Sequence, residues 1–157
     1  MTREEHFMKQ AIQLSRNGIT NNEGGPFGCI VVKGGQIVGR GNNRVTSTND
    51  PTAHAEVVAI RDACNTMGTF QLEGCEIFTS CEPCPMCLGA IYWARPSKVY
   101  FANTRKDAAD IGFDDSMIYE EMICDLDKRK IPIIPLPSKE ALDIFKEWEQ
   151  KTDKTKY

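Results

Sequence analysis

Apolar residues Phe7, Met8, Ala11, Ile12 and Leu14 recur at the three- and four-residue spacing of a helix, with polar residues between them. This spacing predicts an amphipathic helix over 2–17, opened by the capping box Thr2-Arg3-Glu4-Glu5 and stopped by Gly18. Beyond the loop Gly24-Gly25-Pro26-Phe27-Gly28 the pattern changes. Residues 29–33 and 36–39 read as two strands joined at Gly34-Gly35, a favourable hairpin turn.

Residues 42–50 are polar and loop-like, and Pro51-Thr52 opens a helix predicted to run to about Met67, with Gly68 beyond it. A strand is predicted over 76–79, a helix over 84–94 after Pro83, and a strand over 99–101. Asp114-Asp115-Ser116 is a helix-start signal for a segment reaching Ile123. Residues 131–137 form a strand-like or extended connector. Ser138-Lys139-Glu140 starts a last helix whose apolar stripe is Leu142, Ile144, Phe145 and Trp148. Strands alternating with helices argue for α/β layers, and the opening hairpin makes the sheet mixed.

The 157 residues suit one domain with one core, and 41% hydrophobic with 26% charged residues is ordinary for a globular chain. No apolar run approaches the ~20 residues of a membrane span. The charged start Met1-Thr2-Arg3-Glu4-Glu5-His6 leads into no secretory apolar core, so the expected location is the cytoplasm. A net charge of −3 tilts away from a nucleic-acid partner and toward a small substrate. Seven cysteines, an odd number with no export signal, argue against a disulfide framework.

Three of those cysteines cluster. Cys84 and Cys87 are three residues apart at a helix start, which puts both sulfurs about one turn apart on one face. Positive potential there favours the thiolate that zinc takes as a ligand. His54, in the first turn of its own expected helix, is the available imidazole, whereas His6 lies among charged neighbours on the first helix. Three protein ligands plus a water make a catalytic zinc site, and four make a closed structural one. Cys81 keeps the closed Cys3His site open as an alternative. An iron–sulfur run is disfavoured because Leu88-Gly89-Ala90 follows, not a fourth Cys before Pro. Glu56 is a carboxylate of the kind that carries protons. Two residues turn a helix by about 200°, so in a regular helix it would not share His54's face.

His54-Ala55-Glu56 followed by Pro83-Cys84-Pro85-Met86-Cys87 is the H-x-E…P-C-x-x-C pattern of zinc-dependent nucleobase deaminases. The sequence resembles the cytidine deaminase superfamily over nearly its whole length. That resemblance implies a three-layer α/β/α sandwich with a central five-stranded mixed sheet. It implies one Zn2+ per subunit on His54, Cys84 and Cys87, with water in the fourth position. It makes Glu56 the general acid/base and not a ligand.

Within the superfamily, four stretches resemble the small bacterial guanine deaminases, as does the terminal Tyr157. They are Gly24-Gly25-Pro26-Phe27-Gly28, residues 47–56, residues 89–96 and Gly112-Phe113-Asp114-Asp115-Ser116. This implies hydrolysis of guanine to xanthine and ammonia. Phe27 would pack on the purine face and Asn43 would meet its edge. Asp115 would accept from a ring N–H or the amino group, and Trp93 would wall the pocket. The backbone N–H of Ala55 or Cys84 would hydrogen-bond near the reacting oxygen, and Tyr157 would close the site. Each has a plain structural reading as well: Phe27 and Trp93 as core, Asn43 as a turn residue, Asp115 as a helix cap. The chain is expected to be one domain over 1–157. Its connector and last helix, 132–157, would cross to a second subunit in a swapped homodimer. The competing readings are deamination of another base or nucleoside, tRNA adenosine deamination, and a Cys3His binding module that needs no Glu56.

Overall fold

In the computed structural model, which describes residues 1–157, Thr2 opens helix α1 (Arg3–Thr20) with a reciprocal capping box to Glu5. The helix passes through Gly18 and ends at Asn21. Gly18 is no stop signal: it lets Asn42 approach, and a Cβ there would lie 2.8 Å from the Asn42 amide nitrogen. Two units follow one another along the chain, Met1–Asp115 and Ser116–Tyr157.

The first unit holds the sheet. Strands β1 (Gly28–Lys33) and β2 (Gln36–Asn42) form the expected hairpin. A short helix α2 (Val45–Thr48) lies inside the stretch read as loop, followed by α3 (Ala55–Met67), β3 (Cys75–Cys81), α4 (Pro85–Ala94), β4 (Lys98–Asn103) and α5 (Arg105–Asp110). The spatial order is β2-β1-β3-β4. β1 is antiparallel to both neighbours and β3 is parallel to β4, so the sheet is mixed. It has four strands, not the expected five. Residues 131–137 join no ladder. Pro132, Pro135 and Pro137 have no N–H to donate there, which confines such a run to an edge or to no strand at all.

Alternation along β1 builds two cores. Cys29 and Val31 pack with Ala55, Ala59, Ala63 and Ile77, and with Ile91 and Ala94 of α4, on one face. Ile30 and Val32 pack with Phe78, Phe7 and Ala11 of α1 on the other. Helices therefore cover both faces of the sheet. Phe78 stacks on Tyr100 with ring centroids 4.6 Å apart, joining β3 to β4 on the α1 side.

The second unit contains α6 (Ser116–Ile123), a 3-10 turn (Leu126–Lys128) and α7 (Lys139–Gln150). Ser138 caps α7 by accepting from the Ala141 N–H at 3.4 Å. Neither α6 nor α7 buries a single residue. No helix of the chain is long and apolar enough to cross a membrane.

Candidate metal centre and the residues around it

The helix expected from Pro51 starts four residues later. Pro51 and Thr52 lie in a turn, and His54 is the N-cap of α3, extended at φ −69° and ψ 156°. Cys84 caps α4 in the same conformation, φ −66° and ψ 169°, with Pro85 at the first helical positions. Cys87 follows in the first turn of α4 and is fully buried. The constellation is therefore two helix starts, each presenting its capping residue. The positive ends of both helices favour the thiolate form.

His54 Nδ1 lies 3.5 Å from the sulfur of Cys84 and 3.5 Å from that of Cys87. All three donor atoms fall within 4.8 Å of one another. Tetrahedral zinc, with Zn–N of about 2.0–2.1 Å and Zn–S of about 2.3 Å, requires N···S separations of about 3.6 Å. One imidazole and two thiols at this spacing fit zinc. Without metal the same atoms share protons. Cys84 is lowered to about 4, first by the hydrogen bond from the Cys87 thiol and then by His54. Cys87 is raised, because its proton is held against the Cys84 sulfur. His54 is raised by its hydrogen bond to Cys84.

Cys81 stays outside this group. Its thiol donates to the Thr104 carbonyl at 3.6 Å, and burial pushes it up to about 11. That leaves three protein donors, the arrangement with an open fourth position.

Glu56 sits in the first turn of α3, only 6% exposed. Glu56 is not turned about 200° away from His54, because His54 precedes the helix and its extended backbone is free of helical periodicity. Burial raises the Glu56 pKa. Hydrogen bonds from its own backbone, from Cys87 and from Thr79 act in the other direction. The Thr79 hydroxyl donates to Glu56 Oε1 at 3.0 Å. Thr79 was not singled out by its sequence, since one threonine in an apolar strand carries no spacing signal. Only the register of β3 against β1, with Thr79 opposite Cys29, puts it on the α3 side.

Around this centre, Phe27 is half-buried and meets Phe113 edge-on, centroids 4.9 Å apart. Asn43 is buried and built into a turn: its Oδ1 accepts from the N–H groups of Gly25 at 3.2 Å and Val45 at 3.1 Å. Its amide nitrogen is the group that can meet a substrate acceptor. Ala55 is fully buried at the first position of α3, where the amide has no intrahelical carbonyl. Asp115 is half-buried and raised, by desolvation first and then by the Cys84 charge, which puts it in the electrostatic reach of the centre. Trp93 is 65% exposed on the side of α4 away from Cys87, Ile91 and Ala94, so it is neither core nor part of the ligand group. Tyr157 lies in the second unit and is exposed.

Residues 1–103 match the family model described as the cytidine and deoxycytidylate deaminase zinc-binding region. The chain belongs to this family of zinc-binding deaminases. It is 50% identical over 153 residues to guanine deaminase of Bacillus subtilis (strain 168), covering 98% of each chain, and it superimposes on an X-ray structure of guanine deaminase from Bacillus subtilis with a TM-score of 0.95. A guanine deaminase structure from Nitrosomonas europaea has a TM-score of 0.66 at 34% identity, covering 69% of this chain and 63% of that one. The tRNA-specific adenosine deaminase of Aquifex aeolicus is 41% identical over 99 residues, covering 63% of this chain and 65% of that one.

Proposed function

We propose that this protein hydrolyses guanine to xanthine and ammonia. The observation that carries the reading is the extent of the likeness. The Bacillus subtilis guanine deaminase matches 98% of the chain, including the residues after 103, whereas the tRNA-specific adenosine deaminase matches 63%. The family model ends at residue 103, with His54, Cys84 and Cys87 inside it. The remainder, with Asp115 and the second unit, is where substrate choice would be made.

His54, Cys84 and Cys87 would hold one zinc ion per subunit. Zinc, when bound, lowers the pKa of a coordinated water toward ~7 and orients it. Glu56 would take a proton from that water and deliver it to the ring nitrogen beside C2 as the water oxygen bonds to C2. It would then carry the second proton from the new hydroxyl to the amino group, and the C2–N bond breaks as ammonia departs. Guanine plus water thus becomes xanthine plus ammonia. Phe27 packs against the ring, and the Asn43 amide nitrogen donates to an acceptor on its edge. Asp115 accepts from a ring N–H or the amino group. The Ala55 N–H supports the developing oxyanion, and Tyr157 closes the site.

The same reading makes the protein a homodimer with residues 132–157 crossing between subunits. Its support is the second unit, whose helices bury nothing while Leu142, Phe145 and Trp148 stand exposed at three-residue intervals on α7. In this arrangement 1–157 is one functional domain. A cytoplasmic location suits the seven free cysteines, which need a reducing compartment.

The test is ammonia release from guanine, guanosine, cytosine, cytidine and adenine by zinc-loaded protein. Guanine is expected to dominate the panel. Release from cytosine or adenine with none from guanine would overturn the substrate assignment.

A further inference from the structure

Glu56 must do more than be present: a carboxylate that both takes and returns a proton has to keep one oxygen aimed at the reacting atoms. Its side chain has rotatable bonds and stands at a helix start, so something must hold it. Thr79 does so with a hydrogen bond, and the Cys87 thiol also faces the carboxylate. They are not equivalent. The Cys87 thiol can donate only while it keeps its proton, and a cysteine that ligates zinc has lost it. The Thr79 hydroxyl keeps its proton whether or not metal is bound.

Thr79 is itself fixed. It lies on β3 two residues after Ile77, on the same face of the sheet, and is 1% exposed. Its hydroxyl is buried at 3.0 Å from Glu56 Oε1, and the β-branched side chain has little rotamer freedom. Ser80, its neighbour in sequence, serves a different purpose, accepting from the Gly28 N–H at 3.0 Å. The strand thus supplies one hydroxyl to the start of β1 and one to the carboxylate.

We propose that Thr79 is a positioning residue: its hydroxyl pins Oε1 of Glu56, and Oε2 is the oxygen that exchanges protons with water and substrate. The inference rests on the deaminase reading of Glu56 and adds the group that aims it.

Thr79→Val keeps the shape and removes the donor, while Thr79→Ser keeps the donor and removes a methyl. With guanine as substrate, Thr79→Val should lower kcat about ten- to a hundredfold, the range for losing a hydrogen bond to a charged group. KM should stay within about twofold, since the bond touches no substrate. Zinc content by metal analysis should match the parent protein, and Thr79→Ser should recover most of kcat. A crystal structure of zinc-loaded Thr79→Val should show Glu56 turned or in more than one rotamer. Unchanged kcat in Thr79→Val overturns the proposal. So does a loss that Thr79→Ser shares in full, a loss that follows zinc content, or a Glu56 that has not moved. If Thr79→Val does not fold, Thr79→Ala carries the same expectations. Absence of ammonia release from guanine by the parent protein would count against the substrate reading alone. The Glu56 rotamer in the variant crystal would still decide the role of Thr79.

Discussion

A buried carboxylate beside three metal donors can be structural or chemical, and one substitution separates the two. Glu56→Gln keeps the volume and the ability to accept from Thr79 but cannot carry a proton. It should bind as much zinc as the parent by metal analysis while kcat falls about 10²–10⁴-fold, the span for losing a general acid/base. Undiminished turnover would show that another group carries the proton and that Glu56 is structural. Zinc imposes donor types and distances, so His54 and the clustered cysteines stood out in the sequence, while the H-x-E…P-C-x-x-C pattern set Cys81 aside and drew in Glu56. The surrounding residues were less legible. Asn43 was foreseen as either a substrate contact or a turn residue, and its Oδ1 is indeed engaged in the turn. Thr79 was invisible, because its contact with Glu56 spans 23 residues and exists only through strand register.

At the scale of elements, the centre depends on how closely α3 lies on β2. Gly41 of β2 is the point of approach: a Cβ there would stand 2.3 Å from the Ala55 carbonyl oxygen and 2.5 Å from the Ala59 nitrogen, both helix backbone. Gly41→Ala must push the start of α3 away from the sheet, and that start carries His54 and Glu56. We expect a stability loss of about 1–3 kcal/mol, the usual cost of overpacking a close contact. Weaker zinc retention on dialysis should accompany it. Thermal unfolding and metal analysis of Gly41→Ala check both, and a variant equal to the parent in each would show that α3 adjusts without disturbing the centre. The elements that strong patterns marked were found with shifted ends: α1, the hairpin, α3, β3, α4, β4 and α7. Helix α6 was found from its start signal at Asp114-Asp115-Ser116, whereas α2 and α5 were not. Helix α5 is announced only by its cap, in which the Thr104 N–H donates to the Asp107 carboxylate at 2.8 Å and the Thr104 hydroxyl accepts from the Asp107 N–H at 3.2 Å. Its one buried residue is Ala108, too little for periodicity to register. The fifth strand implied by the resemblance is absent, and 131–137, read as strand-like or an extended connector, joins no ladder because it is too rich in proline to pair.

At the scale of the whole molecule, the unit from Ser116 to Tyr157 has helices with no buried residue and a string of exposed apolar side chains. A chain of this kind gains by covering that surface with a second copy of itself. If residues 132–157 cross between subunits and Tyr157 closes the neighbour's site, every site is composite: zinc ligands and Glu56 from one chain, the closing segment from the other. Two inactive proteins would then restore each other. One carries Glu56→Gln with its C-terminal segment intact; the other keeps Glu56 but lacks 153–157. Refolded together from equal amounts, half of the dimers should be mixed, and one of the two sites in each should join an intact Glu56 to an intact closing segment. The recovered rate should be about a quarter of the parent's, as random pairing of two chains in a twofold dimer requires. Without crossing, the intact Glu56 and the intact closing segment would never meet in one site, and the mixture would stay as inactive as its parts. Full guanine turnover by the truncated chain alone would show that 153–157 does not close the site at all.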